Sequence, residues 1–121
     1  MAKVISPVRQ SGASGREIVW LWENVEDTDT CEPAYAHGLD DPTISAFGTF
    51  GATPLLVALH GTPETISTPT NYFVCTSSGT AISLGVTGAV KVVDQVAIAF
   101  KPVVTVGEAA VTDVDIYLVL K

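Results

Sequence analysis

Basic side chains are scarce in this chain: six Lys and Arg stand against thirteen Asp and Glu, a net charge of −7 over 121 residues. A surface of that sign repels a phosphate backbone and has no basic stripe for counterion release, which excludes nucleic acid as a partner class. Long apolar runs are missing too. Nearly half the residues are apolar, yet no run reaches the roughly 18 uninterrupted residues that a membrane helix needs. No apolar stretch follows Lys3 to make a secretory signal, so the chain is expected to be soluble and made in a cytoplasm. Cysteine is limited to Cys31 and Cys75, far apart, and without an export signal both are expected as thiols.

The frames that carry chemistry are equally sparse. His37 and His60 are the only histidines, and neither lies in a His-Glu-x-x-His or Cys-x-x-Cys frame that would gather ligands around a metal. No Gly-x-Ser-x-Gly elbow presents a nucleophile, and no Gly-x-x-x-x-Gly-Lys cradles a phosphate. Glu26, Asp27 and Asp29 crowd one turn but lack the spacing of a calcium loop, which favours a solvated acidic loop. The sequence thus predicts no enzyme, no metal and no cofactor.

What the chain does have is alternation. In residues 112–121 Val114, Ile116, Leu118 and Leu120 alternate with Asp113, Asp115, Tyr117 and Val119, a period of two that predicts a strand with one aliphatic face. Val96, Ile98, Phe100, Val104 and Val106 alternate in the same way, and Gly107-Glu108 supplies a break, so residues 96–121 are expected to form a hairpin. Further strands are expected over residues 17–25, 43–50, 54–60, 71–75, 80–84 and 89–93, with turn signals every 8–12 residues and no convincing helical period. Pro54 belongs at a strand start, and Pro102 marks an unpaired or bulged position. The expected fold is all-β, an antiparallel β-sandwich or jelly roll of about eight strands over residues 17–121. Residues 1–16, with Pro7 and the run Ser11-Gly12-Ala13-Ser14-Gly15, read as a flexible N-terminal arm, either a disordered terminus or an extension that docks on a neighbour.

Charged residues make up only 16% of the chain, fewer than the quarter or so of an ordinary soluble domain. Either another subunit covers the apolar surplus or the outer faces are rich in Ala and Val. In residues 17–25 Ile18, Trp20 and Trp22 share one face and Val19 and Leu21 the other, which suits a central strand or a subunit contact. Trp20, Trp22, Phe50 and Phe100 are the candidate interface residues, the core being the competing place for the two tryptophans.

Gly48-Thr49-Phe50-Gly51-Ala52-Thr53 ahead of an apolar strand, Ala99-Phe100-Lys101-Pro102-Val103-Val104 with Gly107, and the closing Thr112-Asp113-Val114-Asp115-Ile116 carry a resemblance. Together with the early Trp22-Glu23 pair, they make residues 20–121 resemble small virion structural proteins of tailed bacteriophages. Two departures stand out: His60-Gly61-Thr62-Pro63-Glu64 replaces the usual Gly-Ser-x-Asp-Gly-x-x-Trp turn, and Lys101 replaces the usual Arg. The resemblance implies a head decoration (cement) protein on the capsid exterior of the virion, commonly a homotrimer, with the major capsid protein as partner. The alternative is a tail or head-fibre β-sandwich that binds a carbohydrate or receptor.

Overall fold

The computed structural model describes residues 3–11, 17–105 and 112–121. Every helix or strand among them is a strand. In chain order these are β1 (Val4–Ile5), β2 (Val8–Ser11), β3 (Ile18–Val25), β4 (Thr30–Cys31), β5 (Ala34–Tyr35), β6 (Thr43–Thr49) and β7 (Leu56–Thr62). They continue with β8 (Phe73–Val74), β9 (Thr76–Ser77), β10 (Thr80–Ala81), β11 (Ala89–Val92), β12 (Ala99–Thr105) and β13 (Asp113–Leu120). Two sheets carry the fold, a five-stranded one in the order β11-β6-β13-β3-β2 and a four-stranded one in the order β5-β12-β7-β8. All their pairings are antiparallel. Two short pairs flank them, β9 with β10 antiparallel and β1 with β4 parallel.

Alternation along the strands decides what is buried. Val114, Ile116, Leu118 and Leu120 of β13, Ile44 and Ala46 of β6, and Trp22 and Val25 of β3 meet Val57 and Leu59 of β7 and Phe100 of β12 in one buried cluster. Strand β3 departs from a strict period of two because it carries an extra residue opposite β13: Val114 pairs Val25 while Ile116 pairs Trp22. Asn24 absorbs the bulge with φ of 55°, and its N–H donates to Asp115 Oδ1 at 3.0 Å. The bulge turns both Trp22 and Val25 inward although three positions separate them.

The expected C-terminal hairpin is not formed. Strand β12 pairs β7 and β5, whereas β13 pairs β3 and β6, so the chain changes sheet between them. Alternation specifies a buried face and leaves the pairing partner open, and here the two strands put their apolar faces into the core from different sheets. The Gly107-Glu108 break lies outside the described residues. The alternation read over residues 96–100 also shifts: Val96 and Ile98 are exposed while Ala97, Ala99 and Phe100 are buried, because the strand begins only at Ala99. Pro102 stands beyond the short strand β5, where one side of β12 carries no β5 ladder, as its missing donor requires.

The N-terminal segment is also built differently from a flexible arm. Strand β2 is the edge of the five-stranded sheet, and β1 lies along β4, with Thr30 N donating to Lys3 O and Glu32 N to Ile5 O, both at 2.9 Å. Residues 12–16, the Gly- and Ser-rich run, lie outside the described residues.

Candidate docking surfaces

Trp22 and Phe100 are fully enclosed and Phe50 is buried, so three of the four aromatic interface candidates serve the chain's own core. Trp22 Nε1 donates to Glu32 O at 2.8 Å, which satisfies its one polar atom inside. Trp20 alone reaches a surface feature. Its ring is partly buried against the core, its Nε1 donates to Tyr35 O at 3.1 Å, and it stacks on His37 with centroids 6.4 Å apart.

That stack stands beside a pocket of about 500 Å³ lined by Tyr35, His37, Leu39, Pro63, Val96 and Ile98 among others. A tight turn builds one wall. His37 and Gly38 both have positive φ, 53° and 76°, and Leu39 N donates to Ala36 O at 3.0 Å, the geometry that places His37 on a turn tip. Two backbone bonds, Asp40 N to Lys121 O and Lys121 N to Asp40 O, anchor the far side of that turn to the chain's last residue. Val96 at the rim is 66% exposed. The lining offers van der Waals contact with a few polar atoms at the edge, Asp40 among the lining residues.

A second surface is the outer face of the five-stranded sheet. Register sets Val92, Thr43, Val119, Val19 and Gln10 side by side across it, and Val90, Ser45, Tyr117, Leu21 and Val8 in the next row. None of the ten carries a charge. On β3, β6 and β13 they alternate with Trp20, Trp22, Ile44, Ile116 and Leu118, which pack in the core, so these rows lie on the opposite side of the sheet, although Leu21 is itself buried. Val90 and Val92 are 55% and 62% exposed, and Phe47, 45% exposed, meets Tyr117 edge to face at 5.9 Å. Asp113 and Asp115 share this face but lie beyond the two rows at one end. Residue-by-residue reading missed this surface because it sought large aromatics, and the signal that marked it was the second, uncharged alternation of Tyr117 and Val119.

The carboxylates elsewhere hold loops. Asp29 accepts the backbone N–H of Lys3 and of Glu26, each at 2.8 Å, and Lys3 Nζ lies 3.4 Å away. Burial pushes the Asp29 pKa up, but these donors and the Lys3 ammonium outweigh it and hold the carboxyl below its ordinary value. Glu64 accepts from the backbone of Asn71 and Thr70 at 2.8 and 2.7 Å, and these donors lower its pKa. Asp94 accepts from Gly79 N, Thr76 Oγ1 and Ser78 N, with the same effect. The crowded acidic turn is thus tied to the N-terminal segment, though Asp27 keeps one buried oxygen, Oδ1, without a hydrogen-bond partner. Among the described residues no three His, Cys, Asp or Glu cluster as metal ligands.

Cys31 and Cys75 are buried free thiols whose pKa values burial pushes up to about 12, which leaves little thiolate for nucleophilic attack. His60 faces Lys101 across the β7–β12 ladder, and burial followed by that positive neighbour lowers its pKa. Lys101 Nζ sits 4.1 Å over the Tyr72 ring, a cation–π contact on the outer side of the four-stranded sheet. No helix is long and apolar enough to cross a membrane among the described residues. Compared with family models, curated proteins and solved structures, the chain matches none.

Proposed function

We propose that this chain is a capsid decoration protein of a tailed bacteriophage, binding the outer surface of the head through the major capsid protein and stabilising the shell without catalysis. In this reading the two sheets are the layers of an antiparallel sandwich of the jelly-roll kind, and the protein works on the virion exterior as a homo-oligomer, a trimer by resemblance. The observation that carries it is a small acidic molecule with two largely apolar surfaces on different elements, the pocket rim at Val96 and Ile98, which Asp40 borders, and two uncharged rows on the outer face of the five-stranded sheet. Contact surfaces of this kind suit a part that adheres to neighbours, and many modest contacts repeated over a shell add up through avidity. The resemblance carried by Gly48 to Thr53 and by the closing strands points the same way.

The test uses heads of the encoding phage that lack this protein. Adding the full chain back should fill defined sites and raise the temperature at which heads rupture. Heads that take up none of it, or that rupture as before, would overturn the reading. One observation favours a second reading, a carbohydrate- or receptor-binding part of a tail or head fibre: the Phe47–Tyr117 pair is an aromatic pair that reaches solvent. Glycan binding that Phe47→Ala abolishes would favour that alternative.

A further inference from the structure

We infer that the pocket beside the Trp20–His37 stack is the anchor site for a basic, apolar segment of a partner protein, an arginine or lysine flanked by aliphatic side chains. The argument begins with shape. The walls come from separate stretches of chain that backbone bonds hold together: Ala36 N donates to Ile98 O and Ile98 N to Thr62 O, both at 2.9 Å, and the two Asp40–Lys121 bonds fix the rim. Tyr35, another lining residue, is held from outside, its hydroxyl donating to Ile66 O at 3.3 Å. A pocket built this way needs little ordering when its occupant arrives, which favours binding.

Charge and exposure name the occupant. Leu39, Pro63, Val96 and Ile98 supply apolar lining, Asp40 is the one carboxylate in it, and no Lys or Arg belongs to it. Among the described residues no hydrogen bond or ion pair engages the Asp40 side chain, and Lys121 meets it through the backbone alone. Apolar walls with a single free carboxylate are the complement of a long basic side chain, whose stem is methylene and whose head is a cation. The 500 Å³ or so exceeds what one such side chain fills, which leaves room for an aliphatic neighbour. Val96 and Ile98 are 66% and 39% exposed, so a small molecule inside the pocket leaves much of the rim wet, whereas a segment that continues over it covers both. A net charge of −7 draws a basic surface toward the chain and turns an acidic one away. The inference rests on the head-binding reading for the source of the segment, the surface of the head.

Two measurements test it, one on the full chain alone and one on heads. In an NMR titration of the isotope-labelled chain with the peptide acetyl-Leu-Arg-Leu-amide, the backbone amide signals of Leu39, Ala97 and Ile98 should move and saturate at about 0.1–5 mM, as a small contact does. Acetyl-Leu-Glu-Leu-amide should bind about fivefold more weakly or worse. Asp40 is exposed, so Asp40→Asn leaves the fold alone and should weaken the basic peptide about threefold or more. Val86→Lys, at an exposed position outside the pocket, changes the net charge by the same amount and should bind like wild type. Shifts that miss these amides, equal binding of the two peptides, or equal weakening by Asp40→Asn and Val86→Lys overturns the inference. On heads lacking the protein, Asp40→Lys should need about tenfold more protein than wild type to fill the sites. If wild type and Asp40→Lys fill heads equally, the inference falls and the head-binding reading stands. Heads that take up no wild type overturn that reading instead, and the titration alone then decides what the pocket accepts.

Discussion

Gly48 shows at the scale of one residue why a short motif is fixed. Its φ is +134°, a region that side-chain-bearing residues avoid, and a Cβ placed there would run into the backbone carbonyl oxygen of Asp113 on the neighbouring strand. Backbone cannot step aside as a flexible side chain can. Gly48→Ala is therefore expected to cost about 3 kcal/mol, combining conformational strain with overpacking. Gly79 makes the control, because it has a positive φ of +82° but open space around its Cβ position, so Gly79→Ala should cost only the strain, about 1–2 kcal/mol. Urea midpoints of the two variants measure the difference. Equal losses would mean that the approach to Asp113 is not a constraint.

The elements divide into those whose pattern announces them and those fixed by partners. Strands β3, β6, β7 and β13 fall where alternation predicts them, since each buries a row of large apolar residues that leaves a period of two in the sequence. The two-residue strands β1, β4 and β5 leave no period at all, and β2 is an edge strand whose Arg9 and Gln10 look like loop. Their strand character comes from hydrogen bonds with segments distant in sequence. Partner choice for β12 and β13 was hidden for the same reason, because a face does not name its neighbour. Three of the aromatic candidates, Trp22, Phe50 and Phe100, lie in the core because large side chains are as much at home there as at a contact, and the register across five strands is what joins the uncharged alternation of Tyr117 and Val119 into rows. An N-terminal truncation separates a flexible arm from a built element. Removing residues 1–11 deletes β1 and β2 and leaves buried Asp29 without the N–H of Lys3, a loss of about 1–3 kcal/mol for that contact alone. A clear fall in melting temperature is expected, while Lys3→Ala, which keeps the backbone donor and removes only the half-exposed ammonium, should lower it less. A truncated chain that melts like the full one would restore the arm.

For the whole molecule, acidity is a working feature as well as a net charge. Asp29, Glu64 and Asp94 each fasten a different loop through charge-assisted bonds, and in all three the folded state holds the carboxyl below its ordinary value. A folded pKa lower than the unfolded one means that the unfolded chain binds protons first as pH drops. The stability these groups contribute is therefore complete above the ordinary carboxylate range, near pH 4 to 5, and is lost as pH falls through the lower folded values. Melting temperature should stay level from neutral pH to about 5 and drop below about 4. Glu64 and Asp94 are open to solvent, so added salt should shrink their share, whereas the buried Asp29 should respond less. Asp94→Asn isolates one clamp: the variant should melt lower than wild type at pH 7, since its amide can no longer accept from Ser78, Gly79 and Thr76 as a charged group does. It should then lose less on acidification, so that the two curves approach one another at the acid end. Curves that run parallel across the whole range would show that Asp94 fastens its loop without its charge, and the acid sensitivity would have to come from elsewhere.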